Sequence, residues 1–313
     1  MTTPERSGPD GILLVDKPAA WTSHDVVARV RRLARQRRMG HTGTLDPMAT
    51  GLLVLCLGTA TRLVEYMTVH DKRYTAEITL GARTDTDDAE GEVVARAEVP
   101  EVTPAMLRAL EARFTGEIRQ RPPAYSAIKI AGQRAYALAR KGEAVELPDR
   151  PVVVHELALR QPARTADGAA VLGAAVRCGP GTYIRALARD IGEVLGCGGH
   201  LSALRRLTVG EFDVSDGWTL TELEALAGAG LLDEALLPPD EGLLGWRSAV
   251  VDGASEGRFG HGIVLALGLT PEPPRPLLRV YGPAGAFLGT AAGTADGGLK
   301  PLKVFPPVDY VGG

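Results

Sequence analysis

The sequence lacks the features by which several classes of protein are recognised. Its three cysteines among 313 residues form no CxxC pair, which argues against a disulfide framework or a zinc site and favours a reducing compartment. No apolar run approaches the roughly 20 residues that span a bilayer, and the N-terminal residues contain no apolar core of a signal peptide. These absences predict a soluble cytoplasmic protein without a membrane partner.

Several standard catalytic motifs are also missing. The chain contains no GxxxxGK[ST], no GxGxxG after a strand, no HExxH and no GxSxG, so the P-loop, Rossmann, zinc-protease and serine-hydrolase signatures are absent. An acidic turn at 85–91 has some letters of a calcium loop. Ala89, Glu90 and Arg96 stand where an EF-hand needs a ligand, a glycine and a glutamate. The turn therefore predicts an acidic hairpin and no metal site.

The overall charge gives no indication of a nucleic-acid partner, because the net charge is −3. The distribution is uneven, however, and six arginines without any acid lie between Arg29 and Arg38. If the helix predicted here runs through this segment, Arg31, Arg35 and Arg38 share one face. Such a face is typical of a solubilising surface whose cations complement the helix dipole. The missing acids favour the alternative that it binds the phosphates of a polyanion.

The most distinctive stretch reads GHTGTLDPMATG, at 40–51. It places Asp46 between the arginine-rich segment and a strongly apolar run at 52–57 that predicts a buried strand. An isolated Asp-Pro commonly opens a turn or caps a helix. Here the glycines allow the backbone to approach a planar ligand closely, and His41 offers hydrogen bonds to a base or sugar. The context therefore favours Asp46 as a nucleophile presented to a polyanion.

This stretch and several later segments resemble one family in order and spacing. The carrying segments are GHTGTLDPMATGLLVLCLGTATR at 40–62, DKRY at 71–74, GTYIRALARDIG at 181–192 and LRRL at 204–207. They closely resemble the bacterial TruB-type tRNA pseudouridine synthases. Further support comes from GILLVDKP, RTDTDD and YSAIKIAGQRAY. The resemblance implies that the uridine at position 55 in the T-arm loop of tRNA is flipped out and isomerised to pseudouridine, without a metal or cofactor.

The resemblance also assigns catalytic roles. Family enzymes use one essential aspartate, and Asp46 occupies its place. A carboxylate can attack the sugar C1′ or the base C6 and leave again, or it can deprotonate C2′ to give a glycal; the three routes stay open. Tyr74 would stack on the flipped uracil and help to remove the C5 proton. Arg185 would pair with Asp46 and keep it ionised, since such a partner lowers the pKa of an aspartate.

Other matching positions imply contacts with the RNA. Tyr183 and Leu204 would line the uracil pocket, and the alternative for both is packing in the core. His41 would contact the flipped-out nucleotides, and Lys17 would contact a phosphate or the loop. The phosphates of the tRNA would lie on the face formed by the arginines named above.

The predicted fold class is α+β. Short alternating strands at hairpin-like spacing indicate a mostly antiparallel sheet, and the resemblance implies a pseudouridine-synthase fold with a mixed sheet flanked by helices. A segment rich in proline, glycine and leucine at 236–245 is typical of a linker. We therefore predict a catalytic domain at 8–240 and a small β domain at 248–313. The latter resembles a PUA-like RNA-binding domain only in length and β character, and a monomer is expected.

Two alternatives belong to other functional classes. One is a tRNA-binding module whose catalysis has been lost, against which the intact trio of Asp46, Tyr74 and Arg185 argues. The other is a carboxylate hydrolase of nucleosides or glycosides. That chemistry usually needs two carboxylates at a defined separation, and the sequence offers one in a motif. An isomerisation assay tests the first alternative, and release of free uracil would favour the second.

Overall fold

The computed structural model describes residues 8–126, 147–166, 168–266, 268 and 276–305, with the backbone of 129–130 and 133–134. Most of the YSAIKIAGQRAY segment and the last residues of the predicted C-terminal domain lie outside these ranges. Within the ranges, no helix combines the length and apolarity needed to cross a membrane.

The strands, in chain order, are β1 (Gly11–Lys17), β2 (Met39–His41), β3 (Thr50–Leu57), β4 (Lys72–Leu80), β5 (Ala82–Thr84), β6 (Val93–Arg96), β7 (Gly116–Gln120), β8 (Lys129–Ile130), β9 (Gln133–Arg134), β10 (Arg150–Leu159), β11 (Ala163–Arg164), β12 (Ala170–Cys178), β13 (Gly199–Val209), β14 (Phe212–Asp213), β15 (Arg247–Val250), β16 (Leu265–Ala266), β17 (Leu277–Tyr281), β18 (Phe287–Gly293) and β19 (Gly298–Val304). The helices are α1 (Ser23–Leu33), α2 (Val64–Met67), α3 (Pro104–Phe114), α4 (Ile184–Val194), α5 (Leu220–Ala229) and α6 (Gly253–Gly260).

The main sheet contains ten of these strands, and its central path runs β1–β3–β13–β4–β12–β10–β7. Neighbours on this path are antiparallel except β13 and β3. Those two run parallel where Arg205 and Arg206 lie beside Thr50 and Gly51. This mixed, mostly antiparallel sheet with flanking helices confirms the predicted α+β class.

Strands β1 and β3 are buried on both faces. On one face, Leu53 packs with Val30 of α1 and with residues of α5. On the other face, Val54 belongs to a cluster that includes Phe287 and Phe305 from the C-terminal part of the chain. Burial on two sides explains why β3 is apolar at every position from 52 to 57, because no residue of the strand faces solvent. Helices α3 and α4 pack on β4, β10 and β12 in a further cluster.

The C-terminal strands form a separate five-stranded sheet in the order β15–β17–β18–β19–β16. Its own core contains Phe259, Val280 and Leu299. It contacts the rest of the chain through the apolar cluster of Phe287 and Phe305 and through polar pairs such as Tyr281 with Asp240. This sheet has the predicted β character. The domain limits of 8–240 and 248–313 stay a prediction.

Helix α1 is shorter than its sequence pattern suggests. Ala34 caps its C-terminus, and Arg35 has a φ of 48°, in the left-handed region. The buried carboxamide of Gln36 then accepts a hydrogen bond from the Arg38 N–H and donates to backbone carbonyls near the N-terminus. The prediction that Arg31, Arg35 and Arg38 share a helix face is therefore wrong, since only Arg31 lies within the helix.

Candidate active site

Asp46 lies in the loop that connects β2 to β3, and both sides of this loop are anchored. The Ser23 hydroxyl, at the start of α1, donates to the Leu45 carbonyl at 3.1 Å and accepts from the Leu45 N–H at 2.8 Å. Gly51 follows with a φ of 97°, and a Cβ there would stand 2.2 Å from the Arg206 carbonyl oxygen. Only glycine fits at that position. The loop is thus held between α1 and β13.

Arg185, the second residue of α4, lies between two carboxylates. Its Nη2 donates to Asp46 Oδ1 at 3.1 Å, and its Nε lies 3.0 Å from Asp46 Oδ2. Its Nη1 lies 3.3 Å from Asp88 Oδ2, and the same guanidinium donates to the carbonyls of Thr86 and Tyr125. The Arg185 side chain is 6% exposed and that of Asp46 is 32% exposed. Asp46 is therefore a fixed carboxylate that is still accessible to solvent.

The surroundings of Asp46 act on its ionisation in two directions. Burial raises the pKa of Asp46, and the negative charge of Asp88 adds to this rise. The charge of Arg185 lowers the pKa of Asp46, as the sequence predicted, but burial outweighs it. The net result is an aspartate whose pKa lies above its ordinary value.

Tyr74, Leu204 and Tyr183 come from three elements of the main sheet and its helices. Tyr74 lies on β4 directly opposite Arg206 of β13 and packs against the core cluster of α3 and α4. Burial raises the pKa of the Tyr74 phenol, and the charge of Arg206 opposes this rise. Leu204 is 8% exposed on β13. Tyr183 is the N-cap residue of α4, and the Arg150 guanidinium lies over its ring at 5.1 Å from the centroid.

His41 ends β2 and is partly buried. Its Nδ1 is buried, and no group of the described residues is hydrogen-bonded to it. Burial and the charge of Arg206 lower the pKa of the His41 imidazole, so the ring is neutral at physiological pH. A neutral ring with a nitrogen lacking a partner is suited to a contact with a nucleotide.

Lys17, at the end of β1, is fully buried. Its ammonium donates to the carbonyls of Pro18 at 2.9 Å, Trp21 at 2.6 Å and Pro47 at 3.2 Å. Burial lowers its pKa to about 8. Pro47 directly follows Asp46, so Lys17 holds the loop that carries Asp46. The predicted contact of Lys17 with the RNA stays a prediction.

The predicted arginine cluster is partly tied to the protein. Arg31 donates to the Met39 carbonyl at 3.0 Å, at the start of the strand that leads to His41. Arg38 donates to the Thr61 hydroxyl at 2.8 Å, and Arg35 is exposed. The cluster is a surface patch at the end of α1, continuing into the turn after it.

Sequence reasoning missed the role of the acidic turn. Asp88 meets Arg185, and Asp87 meets Arg189 at 2.8 Å. A usable signal was present: two arginines four residues apart lie on one face of a helix, and two adjacent acids in RTDTDD can satisfy both. Asp87 has a φ of 62°, which an aspartate adopts more readily than most residues. The turn is an anchor for the helix that carries Arg185.

The fold defines the class of protein. It is the pseudouridine-synthase fold. A chain in the solved H/ACA RNP bound to a substrate RNA containing 2′-deoxyuridine shares this fold. The two chains match at a TM-score of 0.71 and 22% identity, over 99% of this chain and 92% of that one. A chain of a Cbf5-Nop10-Gar1 complex matches at a TM-score of 0.69 and 24% identity, covering 96% of this chain and 86% of that one.

The family follows from the sequence comparisons. The chain belongs to the TruB family of pseudouridylate synthases: the model of the family's N-terminal domain matches residues 31–184, and a tRNA pseudouridylate synthase B C-terminal domain model matches residues 185–244. It is therefore an enzyme, an isomerase.

Three similar proteins are each named tRNA pseudouridine synthase B. The protein of Arthrobacter sp. (strain FB24) is 46% identical over 305 residues, covering 95% of this chain and 97% of that protein. The protein of Thermobifida fusca (strain YX) is 55% identical over 219 residues, covering 69% and 75%. The protein of Xanthomonas campestris pv. campestris (strain 8004) is 43% identical over 296 residues, covering 94% of each.

Proposed function

We propose that this protein converts the uridine at position 55 in the T-arm loop of tRNA into pseudouridine. The observation that carries the proposal is the ion pair of Asp46 with buried Arg185, in which the Asp46 side chain stays 32% exposed. The similar proteins named tRNA pseudouridine synthase B support tRNA as the substrate. The three free, buried cysteines are consistent with a cytoplasmic protein, and we expect it to act as a monomer.

The proposed chemistry begins at the Asp46 carboxylate. It attacks C1′ as the N1–C1′ bond breaks, or it adds to C6 before that bond breaks, or it removes the C2′ proton as that bond breaks to give a glycal. The freed uracil turns and bonds to C1′ through C5. On the first route this bond displaces Asp46 from C1′, on the second Asp46 then leaves C6, and on the third the proton returns to C2′. The C5 proton is then lost, with Tyr74 in place to assist, and N1 gains a proton. The product is an isomer of the substrate, so no other reactant is consumed.

Several residues are proposed to hold the target nucleotide. Extracting a base from a folded RNA loop costs a few kcal/mol, which stacking and hydrogen bonds must recover. Tyr74 and Leu204 would pack on the uracil, with Tyr183 beside them. His41, whose buried Nδ1 has no partner in the described structure, would bond to a displaced nucleotide. These contacts would make recognition of the loop depend on its shape and on flipped bases.

A glycosidase or nucleoside hydrolase is less well supported. A second carboxylate, Asp88, does lie near Asp46 on the other side of Arg185. Its side chain is only 5% exposed, and it accepts hydrogen bonds from the Thr86 hydroxyl and the Glu90 N–H. A carboxylate engaged in this way is not available to protonate a leaving group or activate water.

The proposal is tested by locating the product. The protein is incubated with a T-arm stem-loop transcript, and pseudouridine is mapped by carbodiimide labelling and reverse-transcription stops. We expect a single stop at position 55 and none in a transcript with cytidine there. A stop at a different uridine would refute the proposed target, and no stop at all would refute the activity on this substrate.

The arginine patch provides a test of how the RNA is positioned. Replacing Arg31, Arg35 and Arg38 with alanine should weaken binding and reduce the slope of log K against log salt by about two to three, because each phosphate contact releases counterions. Turnover at saturating RNA should stay close to wild type. Filter binding across a salt series gives the slope.

A matched control removes three exposed arginines from another region, namely Arg96, Arg108 and Arg113. This variant should keep the wild-type salt slope. Equal slopes for both triple variants would place the RNA backbone elsewhere.

Lys17 is expected to affect both stability and turnover. Lys17→Met leaves three carbonyls without their donor and should lower the free energy of unfolding by about 1–3 kcal/mol. The loop carrying Asp46 also loses its anchor at Pro47, so kcat should fall roughly tenfold. Urea unfolding and single-turnover kinetics at pH 7 measure the two effects.

Lys72 is the matched control for this prediction. It is 7% exposed, burial lowers its pKa to about 8, and its ammonium donates to the carbonyls of Thr68 and His70. Lys72→Met should therefore cost similar stability without the same loss of kcat. If both variants lose stability and neither loses turnover, Lys17 has no role in holding the Asp46 loop.

A further inference from the structure

Gln120, the last residue of β7, is held against the start of α4. It is 1% exposed. Its Nε2 donates to the Tyr183 carbonyl at 3.1 Å, and its Oε1 accepts from the Tyr183 N–H at 2.8 Å. The carboxamide is therefore hydrogen-bonded to both backbone polar groups of Tyr183, as a neighbouring strand would be. Burial without these bonds would be costly for an amide.

The turn that precedes Tyr183 contains one local side-chain hydrogen bond, from the Thr182 hydroxyl to the Gly179 carbonyl at 3.1 Å. The chain before Tyr183 reads Gly-Pro-Gly-Thr, and Gly181 has a φ of 84°. Tyr183 is the N-cap residue of α4, and its side chain makes no capping hydrogen bond. Helix ends of this kind usually depend on side-chain caps for their position. Contacts from outside the helix must therefore define where α4 begins.

A second residue acts on the same segment from the adjacent strand. Arg150 of β10 is the direct register partner of Gln120. Its guanidinium donates to the Gly181 carbonyl and lies over the Tyr183 ring. The paired ends of β7 and β10 thus hold the turn at 181–183, with Gln120 supplying the buried, two-point contact.

The start of α4 determines the direction of Arg185, which is only two residues beyond Tyr183. A small rotation of the first turn would move the guanidinium away from Asp46, whose contacts with it are 3.0 and 3.1 Å. We infer that Gln120 is a positioning residue for the reaction: it fixes Tyr183 and, through the first turn of α4, sets Arg185 against Asp46. This inference rests on the proposed function.

The test uses Gln120→Glu, which keeps the shape of the side chain. A protonated carboxyl can donate to the Tyr183 carbonyl and accept from its N–H, as glutamine does, whereas a carboxylate cannot donate. Burial raises the pKa of such a glutamate. At pH 8 we expect kcat roughly 10- to 100-fold below wild type with RNA binding retained. The ratio of variant to wild-type kcat should rise as the pH is lowered.

Gln36→Glu is the matched control. Gln36 is 6% exposed and is also bonded to backbone groups, but those groups belong to the N-terminal residues and Arg38. Its kcat ratio to wild type should be close to one and independent of pH, even if its melting temperature falls. Gln120→Met removes both hydrogen bonds without adding a charge, so its kcat should fall by the same factor at all pH values. If Gln120→Glu does not fold, the kcat of Gln120→Met tests the positioning role.

These outcomes distinguish failure of the positioning role of Gln120 from failure of the proposed function. Wild-type kcat in both Gln120 variants, or the same pH-dependent loss in Gln36→Glu, would overturn the positioning role and leave the proposed function standing. A wild-type protein that forms no pseudouridine would overturn the proposed function and this inference with it.

Discussion

Asparagine in place of Asp46 is expected to reduce pseudouridine formation by at least about 10⁴-fold, the scale on which removal of a nucleophile acts. The amide has the size of the carboxylate and can stay beside Arg185, but it is a poor nucleophile and no base at neutral pH. Binding of the T-arm stem-loop should change only a few-fold. Single-turnover product formation at saturating RNA, together with filter binding, measures both quantities.

Asp88→Asn is the matched control for this prediction. Asp88 contacts the same guanidinium as Asp46 but from the buried side, with 5% of its side chain exposed. Its loss weakens the hold on Arg185 and should cost roughly 100-fold at most, as misplacement of a group does. Equal losses in both variants, or an Asp46→Asn enzyme that retains substantial turnover, would remove Asp46 from its proposed role as nucleophile or base.

Removal of Arg185 is expected to have the second largest effect, and it should change the pH dependence as well as the rate. Arg185→Met should lower kcat by about 10²- to 10³-fold, the usual scale for losing one preorganised electrostatic partner. Arg185→Lys keeps the charge without the two-point geometry, so its kcat should lie between those of the wild type and Arg185→Met. Single-turnover rates at pH 8 measure these losses.

The direction of the pH effect follows from the role of Asp46. Turnover needs the ionised carboxylate, so it declines as the pH falls through the pKa of Asp46. Burial raises that pKa, and the charge of Arg185 opposes the rise. Without Arg185 the pKa rises further, and the acidic limb of the pH–rate profile should move to higher pH. Arg185→Lys should show a smaller displacement.

Arg189→Met provides the comparison within the same helix. The Arg189 side chain is 9% exposed, against 6% for that of Arg185, and lies one turn later on α4. It pairs with Asp87 and Asp190 and donates to the Arg121 carbonyl, whereas Asp46 is not among its partners in the described residues. Its loss should leave the acidic limb in place. An unchanged limb in Arg185→Met, or the same displacement in Arg189→Met, would contradict the electrostatic coupling of Arg185 to Asp46.

The sequence predicted those features that short-range patterns record. The apolar run at 52–57 indicated a buried strand, and β3 is one, with both of its faces covered. The short alternating strands indicated a mostly antiparallel sheet, and the main sheet is mostly antiparallel. The pairing of Asp46 with Arg185 came from the family resemblance, and the two side chains do meet. Their roles in catalysis stay predictions.

Features that depend on contacts between distant segments were not visible in the sequence. The arginine pattern at 29–38 is periodic, but α1 ends at Leu33 and Arg35 takes a left-handed φ, after which the buried Gln36 bonds to backbone groups outside the helix. Asp88 lies in a segment that the sequence predicted to be an acidic hairpin. Its pairing with Arg185 was not visible there, because Arg185 lies 97 residues away on α4. Gln120 had no motif at all. Its importance comes from being placed at a strand end beside Tyr183.

The expectation from the sequence that its arginine partner lowers the pKa of Asp46 does not describe the net shift, which is upward. An arginine partner alone lowers the pKa of an aspartate, which was the expectation. The extent of burial decides the net effect. The loop is enclosed by Arg206, which donates to the Gly43 carbonyl, by Ser23, and by the parallel pair of β3 and β13. Such enclosure is a property of the fold.

The most direct test of the account is tritium release from a T-arm stem-loop that carries [5-³H]uridine only at position 55. With the wild-type protein, we expect tritium to enter water at one equivalent per RNA, without free uracil, and we expect no release with Asp46→Asn at RNA concentrations where both proteins are saturated. Wild-type protein that binds the stem-loop and releases no tritium, or that releases uracil, would contradict the account.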